Sequence, residues 1–566
     1  MSKSNSNTYE VIVVGSGMTG GWAAKEFTEK GLSTLVLERG RDVKHIKDYP
    51  TANMAPWEFK YRGHLTRKEK EQYFIQSQKY NFDASSKHFF VNDQEHRYEH
   101  PEDKPFKWFR GYQTGGRSLL WGRGAYRFSD LEFEANLKDG VGVDWPIRYK
   151  DISPWYDYVE KFIGVAGAQH DIWQLPSGKY YLPPFELNYA EKVVKERLEK
   201  HYSDRKLIPN PVAHITKAQP GQFKGRSECQ SRNLCHRGCP YGAYFTSNSS
   251  TLPAAYDTGM LTLLSNTLVH SVIYDEKQDK AVGVRVINTQ TNQTTEYLAR
   301  VIFLCASTLI STAILMNSKT SRFSDGLANS SGVLGHYLMD HHSHVGGQGI
   351  LEGGEDSIYK GFRPSMVTIP RFRNVYKQET DFLRGYGVWG GAHRQGINAN
   401  QTGIGAELKQ KLTKYGPWVM SLGTQAETLP NYDNRVEINE NKKDKWGFPM
   451  IKVIAEYGEN EMLMREDIYQ QIEEMLEVAG LKDISMHKQT PIFGDTIHEM
   501  GTARMGRDPK TSVLNGYNQC HDIANLFVTD GSCMVSSGNV STSLTYMALT
   551  ARACEYAVKQ MKKGKI

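Results

Sequence analysis

Apolar and polar positions divide the chain into blocks. "YEVIVV" (9–14) is a short continuous apolar run and reads as a buried strand. A Gly-rich turn and helix follow in "GSGMTGGWAAKEFTEKG" (15–31), then a second apolar run in "STLVLERG" (33–40), so a βαβ unit is expected. "TLLSNTLVHSVIYDEKQDKAVGVRVI" (262–287) alternates as strands about a turn at Glu276–Lys280, and "RVIFLCASTLISTAILMNS" (300–318) reads as a buried strand and a helix. Residues 346–455 alternate like antiparallel strands joined by long loops. "NEMLMREDIYQQIEEMLEVAG" (460–480) has the spacing of an amphipathic helix. "ANLFVTDGSCM" (524–534) is a strand ending in Asp530-Gly531, and "STSLTYMALTARACEYAVKQMKK" (541–563) is a closing helix. "DWPIRYKDISPWYDYVEKFIGV" (144–165) is expected to turn helical after Pro154. Residues 51–110 break the pattern, being polar, aromatic and rich in Lys and Glu. They read first as a surface insertion, with a cap, an oligomerisation arm or a substrate loop as alternatives.

Composition narrows the class. At 566 residues the chain exceeds what one hydrophobic core usually serves, so two or more domains are expected. Hydrophobic residues make up 39% and charged ones 23%, an ordinary globular balance. A net charge of +6 over this length gives no case for nucleic acid. No apolar run approaches the roughly 18 residues that would span a bilayer. "MSKSNSNTYE" at the N-terminus lacks an apolar signal-peptide core, so no export signal is expected in this chain. Seven cysteines, sparse and odd in number, argue against a disulfide scaffold.

The strongest local motif is Gly15-x-Gly17-x-x-Gly20, placed between a strand and a helix. Gly15 permits the tight turn, Gly17 lets a pyrophosphate approach the backbone, and Gly20 lets strand and helix pack closely. Glu38 ends the second strand, where a carboxylate can accept from ribose hydroxyls. This constellation points to a dinucleotide without choosing between FAD and NAD. The other concentrated chemistry is "ECQSRNLCHRGCPYGA" (228–243), with Cys229-x5-Cys235-x3-Cys239-Pro240. Zinc would want a fourth ligand, and His236 is poorly spaced for it. A disulfide would leave one thiol over. Cysteine triplets ending in Cys-Pro are typical of iron–sulfur loops, and bland loop thiols remain an alternative. Cys305, Cys520, Cys533 and Cys554 sit in apolar settings and are expected in the core.

"HEMGTARMG" (498–506), "NLFVTDGS" (525–532) and "SLTYMALTARACEYA" (543–557), in that order after an N-terminal βαβ, resemble the glucose–methanol–choline (GMC) oxidoreductases. "TGGRSLLWG", "DWPI…PWYDYVE", "GHYLMDHH" (335–342) and "NRVEIN…DKWGFPMIKV" (434–453) add to the resemblance, which runs from about Tyr9 to Val558. It implies an α/β fold: a Rossmann-like FAD-binding domain with an interleaved α+β substrate-binding domain on an antiparallel sheet. The expected FAD-binding domain is discontinuous, over 9–50, 111–130, 215–345 and 500–563. The substrate-binding domain would take 131–214 and 346–499, and 228–243 would form a cysteine loop.

The resemblance implies FAD cradled by Gly15, Gly17, Gly20 and Glu38, with Gly115, Gly116 and Ser118 near the flavin. Asp530 and Gly531 would lie by the pyrophosphate and ribityl chain, and the Val272 backbone by the adenine. Some relatives attach flavin covalently to a His in the Gly-rich loop. Leu120 stands there, so non-covalent FAD is expected. Alcohol oxidation needs a base near the hydroxyl, and His498 matches that position. The family's partner position falls in "GNVSTSLT", where Ser541 and Thr542 replace the usual Asn-Pro. Asn539 is the favoured partner and Ser541 the alternative. His341, His342 and His344 are read as structural rather than metal-binding.

Within the family, the nearest resemblance is to bacterial sugar dehydrogenase large subunits, of the glucoside 3-dehydrogenase and gluconate or glucose dehydrogenase types. It implies a [3Fe–4S] cluster on Cys229, Cys235 and Cys239. It also implies a small partner subunit carrying an export signal and a cytochrome-type electron acceptor, hence a periplasmic location if exported and a cytoplasmic one otherwise. An oxygen-using pyranose or glycoside oxidase is the competing reading, and a non-redox FAD-containing lyase a third.

Overall fold

In the computed structural model of the protein, residues 7–357, 364–396, 403–413 and 415–566 are described. The polar start of the chain, residues 1–6, lies outside them. The expected βαβ unit is present. Thr8–Val14 pairs in parallel with Thr34–Leu37, and the helix Met18–Glu29 links them. Leu261–Leu264 adds a parallel strand beyond Thr34–Leu37, and Thr294–Leu304 adds one on the other side. The free edge of Thr294–Leu304 is shared: Leu526–Val528 pairs with its end in parallel, and Lys280–Asn288 with its start antiparallel. Thr267–Asp275 completes this seven-stranded sheet.

Val11, Ile12, Val13, Val301, Ile302 and Phe303 are fully buried: Val11, Val13, Val301 and Phe303 pack under Ala23, Ala24 and Phe27 of the helix on one face, and Ile12 and Ile302 join the main core on the other. The closing helix Ser543–Lys562 packs on Met18–Glu29 and on Tyr149–Ile163. The last of these starts earlier than expected, with Pro154 inside it. Asp130 Oδ1 accepts from the Tyr149 N–H at 2.7 Å and Asp151 Oδ2 from the Arg148 N–H at 2.8 Å. Side chains thus satisfy the helix start without the proline, which removes one backbone donor in the second turn.

The second sheet is six-stranded. In spatial order it runs Lys482–Lys488, Val345–Leu351, Trp418–Ala426, Tyr386–Arg394, Val367–Ile369 and Ile208–Pro209, all antiparallel. The helix Glu459–Val478 lays Met464, Ile468, Ile472, Met475 and Leu476 on it, all fully buried. Each such side chain contributes about 1.5–3 kcal/mol through removal from water. Two elements in 346–455 were not expected in this form: a helix at Gly405–Thr413, and a separate hairpin of Arg435–Lys443 with Pro449–Ile454. Among the described residues no helix is long and apolar enough to cross a membrane.

Residues 51–110 are more than a surface insertion. They form short helical turns, and Lys79, Tyr80, Asn81, Phe90 and Trp108 reach a central cavity. Arg232 Nη2 donates to Ala52 O and Arg237 Nη1 to Met54 O, so the same segment also holds the cysteine loop.

Candidate active site

A cavity of about 650 Å³ opens between the two sheets. One end is the Gly-rich turn. Gly15 has φ +95°, and a Cβ there would sit 2.6 Å from Cys305 O. At Gly20 a Cβ would lie 1.9 Å from Gly15 O, so the close packing of helix on turn requires glycine. Gly17 differs: nothing lies within 4 Å of its ideal Cβ position, and the residue lines the cavity. It caps the helix Met18–Glu29, whose first N–H groups and positive dipole end suit an anion. Gly116 approaches it closely, its ideal Cβ position lying 3.3 Å from Gly17 Cα. This end therefore has the backbone cradle, bare of side chains, that a pyrophosphate needs.

Glu38 is buried at the cavity wall. Its carboxylate accepts from Ser16 N at 3.2 Å, Ser16 Oγ at 2.6 Å and Gly40 N at 2.9 Å, so it braces the turn as well as facing the ribose position. Burial pushes its pKa up. Gly115 has φ +88°, and its N–H donates to Ser16 Oγ at 2.9 Å. Ser118 lines the cavity, but its hydroxyl donates to Gly115 O at 2.6 Å and accepts from Ser247 N, which ties up its polar atoms. Asp530 and Gly531 also line the cavity. Asp530 accepts from Ser532 N, Ser532 Oγ and Ser311 Oγ.

Val272 is not brought to the cavity. Its N–H donates to Ser318 Oγ at 2.8 Å, and the wall of that strand is Thr267, Leu268 and Val269. A β-bulge between Val269 and Ser271 shifts the register there, which the alternation of the sequence does not reveal.

At the other end stands His498. Its N–H donates to Asp340 Oδ1 at 2.9 Å, while Thr496 N and Oγ1 also donate to that carboxylate. Asp340 thereby clamps the turn 496–498, in which Ile497 holds φ +68°. The imidazole of His498 lines the cavity, and its Nδ1 lies 2.9 Å from Nδ1 of His341. Burial, then His341, Lys79 and Arg117, hold its pKa well below the usual histidine range, so it is neutral near pH 7. Lys79 Nζ donates to Asp495 O at 2.5 Å, and burial pulls its pKa down to about 8. Arg117 makes a two-pronged pair with Glu499, at 2.8 and 3.3 Å. A neutral imidazole beside two cations is suited to taking a hydroxyl proton while the oxygen gains negative charge.

Of the two partner residues considered, the structure brings only Ser541 to this end. Its Oγ donates to Gln425 Oε1 at 3.3 Å, and both residues line the cavity. Asn539 turns the other way and donates from Nδ2 to buried Glu132 Oε1 at 2.5 Å. The histidine run also separates. His341 meets His498, His342 is buried against Tyr457, and His344 pairs with Asp495 at 2.9 Å. Lys79, Arg117, Gln425 and His341 are the residues that sequence reasoning missed. Arg117 lay in a loop already singled out, and His341 stood in a recognised motif. Lys79 and Gln425 carry no signal in the chain.

Cys229, Cys235 and Cys239 line one small cavity of about 30 Å³, together with His214 and Tyr244. Burial pushes the Cys229 thiol up to about 11. Tyr244 Oη lies 3.1 Å from Leu119 O and 3.0 Å from Cys235 O, so this cavity abuts the Gly116–Leu119 turn of the larger one. Among the described residues no three His, Cys, Asp or Glu side chains converge closely enough to hold a metal ion. The other four cysteines are buried among apolar residues, as expected.

Family profiles described as GMC oxidoreductase match residues 216–343 and 430–550. The fructose dehydrogenase large subunit of Gluconobacter japonicus is 24% identical, covering 98% of each chain. The 2-methyl-1,2-propanediol dehydrogenase of Mycolicibacterium austroafricanum is 25% identical, covering 97% of this chain and 94% of that one. Among solved structures, pyridoxine 4-oxidase from Mesorbium loti superposes with a TM-score of 0.60 at 16% identity, over 97% of this chain and 99% of that one.

Proposed function

We propose that this chain, which belongs to the GMC oxidoreductase family and is an oxidoreductase acting on CH–OH groups, is an FAD-dependent dehydrogenase that oxidises a secondary hydroxyl of a sugar or glycoside. One observation carries the reading: a single cavity has a glycine cradle for a dinucleotide at one end and a neutral imidazole at the other. Bound FAD supplies the hydride acceptor. Gly15, Gly17, Gly20, Glu38, Gly115, Gly116, Asp530 and Gly531 hold it without a covalent link, within the proposed unit of 9–50, 111–130, 215–345 and 500–563. His498 removes the hydroxyl proton. Ser541 and Gln425 orient the substrate oxygen, and Lys79 and Arg117 offset the charge that develops on it.

The finer reading is a glycoside 3-dehydrogenase, giving a 3-keto product. Cys229, Cys235 and Cys239 would hold a [3Fe–4S] cluster, which would supply one-electron transfer to an external acceptor. Support comes from the three thiols sharing one cavity against the flavin-side turn. Because they do not converge on one point, the loop would have to close around a cluster. A small subunit with an export signal and a cytochrome-type acceptor would complete the enzyme and place it in the periplasm.

The test is an anaerobic absorbance titration with mono- and disaccharides, with iron and sulfide analysis of the same protein. Bleaching of the flavin by a sugar is expected, together with three irons per chain. A flavin that no alcohol reduces overturns the dehydrogenase. Reduction without iron, with stoichiometric peroxide in air, favours an oxidase. Cys235→Ser is expected to keep flavin reduction and lose transfer to an external acceptor.

A further inference from the structure

His341 makes two hydrogen bonds through its ring. Nε2 lies 2.9 Å from Gly538 O, and Nδ1 lies 2.9 Å from Nδ1 of His498. A backbone carbonyl can only accept, so the Nε2 of His341 carries its hydrogen. A neutral imidazole with hydrogen on Nε2 has a lone pair on Nδ1. Burial pulls His341 down to about 4, so the neutral form holds across the physiological range. The hydrogen shared between the two rings therefore belongs to Nδ1 of His498. That leaves the lone pair of His498 on Nε2. Among the described residues Nε2 of His498 has no hydrogen-bond partner, and the side chain lines the cavity.

We propose that His341 is a positioning residue that fixes the tautomer of His498, with the Gly538 carbonyl as the anchored end of the relay. The proposal rests on the reading of His498 as the base. Both ends of the relay are held. Gly538 has φ +65°, and a Cβ there would meet Phe128 Cζ at 2.5 Å. Its neighbours are tied down: Ser537 Oγ accepts from Thr428 N at 3.0 Å, and Asn539 is bonded to Glu132. At the other end, Asp340 precedes His341 in sequence and holds the His498 backbone N–H. The ring planes meet at 86°, an edge-on arrangement that aims one nitrogen at the other. Thus "GNVST", where the expected partner Asn539 turned away, contributes through the Gly538 carbonyl instead.

Without the acceptor on His341, the His498 ring is free to carry its hydrogen on Nε2, where it would occupy the lone pair that takes the substrate proton. The other charged groups facing His498 are Lys79 and Arg117, and neither can accept a hydrogen bond.

Three replacements separate the roles. His341→Asn puts an acceptor oxygen near the position of Nδ1. His341→Gln offers a donor near Nε2 and no acceptor near Nδ1, and His341→Leu removes both. Flavin reduction by the best sugar is measured anaerobically from pH 6 to 9, and long-range 1H–15N spectra are recorded on 15N-histidine protein, with His498→Ala for assignment. His341→Gln and His341→Leu are expected to lower the plateau rate by about 10- to 100-fold, within the range that a correctly protonated base contributes. The drop should be the same at every pH, because tautomer choice involves no net proton uptake. KM and bound flavin should change little. His341→Asn should recover the greater part of the loss. In the parent, His498 should show a protonated Nδ1 and a bare Nε2, and in His341→Gln a mixture or the reverse. A fall in His341→Asn as deep as in His341→Gln, or an unchanged His498 spectrum in His341→Gln, overturns the proposal. The Asn and Gln pair decides this even if His341→Leu fails to fold. Near-normal reduction by His498→Ala would overturn the base reading. An inactive His498→Ala beside an unaffected His341→Gln would overturn only the tautomer proposal.

Discussion

The two ends of the central cavity are built in different ways. The glycine end is built mainly on one stretch of chain, strand, turn, helix and strand within residues 8–37 with Glu38 after them, completed by the Gly115–Gly116 turn and by Asp530-Gly531. Its chemistry is mostly backbone, and the glycines answer to close backbone approaches, Gly20 to the nearby Gly15 O and Gly15 to Cys305 O. The histidine end gathers Lys79, Arg117, His341, Gln425, His498 and Ser541 from six separate segments. Its chemistry is in side chains, and each is aimed by a partner far away in sequence. One end is therefore specified largely by spacing, the other by tertiary structure. Substitutions should reflect this: at the histidine end they should affect reaction rate, at the glycine end ligand affinity or folding.

The largest effect is expected at His498. His498→Ala should slow sugar-driven flavin reduction by about 10²- to 10⁴-fold, the usual worth of a general base, with the absorbance of bound flavin unchanged. Anaerobic stopped-flow on the purified variant checks this. If flavin is lost as well, the two ends are not separable and the comparison fails.

At the glycine end, two neighbouring glycines should behave differently. A Cβ at Gly20 meets Gly15 O at 1.9 Å, so Gly20→Ala should destabilise the apoprotein by about 1–3 kcal/mol through overpacking. A Cβ at Gly17 meets nothing within 4 Å of protein and points where the pyrophosphate would approach. Gly17→Ala should leave apoprotein melting nearly unchanged and weaken FAD binding by about tenfold or more, equivalent to at least about 1.4 kcal/mol. Equal melting temperatures for both variants would show that the glycines share one role.

The same contrast explains what was legible in the chain. Strand and helix period, the Gly spacing and the acidic end of the second strand are local signals, and the βαβ unit appeared where they placed it. The buried strands of the first sheet were also readable from apolar runs and the antiparallel strands within 346–455 from their alternation, whereas Ile208–Pro209 and Lys482–Lys488 carry no such signal. The start of the helix at Tyr149 was not, because it is set by Asp130 and Asp151 side chains rather than by Pro154. Nor was the direction of Asn539, because that depends on Glu132, distant in sequence and buried beside it. His498 was recognisable from its motif, whereas the use of His341 emerges only when Gly538 and His498 are seen on either side of its ring. The excursion 51–110 has no period to read, and Lys79 reaches the cavity only through the way that segment folds back.

Glu132 tests how far the support of the histidine end extends. Burial, then Glu427, raises its carboxyl to about 7 from the ordinary 4.5. A raised carboxyl means the folded state holds the proton more tightly than the unfolded one. Its stabilising contribution is complete below about pH 4.5 and is lost as the pH rises through about 7. Glu132→Gln removes this dependence. Apart from a constant offset from altered bonds to Ser129 and Asn539, the variant should gain on the parent between pH 5 and 8. The gain is at most about 3 kcal/mol, since each tenfold difference in proton affinity between folded and unfolded chain is worth about 1.36 kcal/mol. Urea unfolding at pH 5, 6.5 and 8 measures it, and parallel curves would remove Glu132 as a titrating support.

The smallest effect concerns the wall of the glycine end, where Val269 faces the cavity and Val272 does not. Ser318 Oγ accepts the Val272 N–H at 2.8 Å and itself donates to Ile314 O at 2.6 Å, fastening the strand Thr267–Asp275 to the helix Thr308–Met316. Ser318→Ala leaves that buried N–H without its partner, at a cost of about 1 kcal/mol. Because the lost bond faces the helix and not the cavity, FAD affinity should stay within about twofold, a difference of about 0.4 kcal/mol. Melting of the apoprotein and FAD titration of the same sample read the two quantities separately. A loss of affinity larger than the loss of stability would mean that the Val272 backbone contacts the nucleotide after all, and that the β-bulge at Val269–Ser271 does not set which residues the adenine meets.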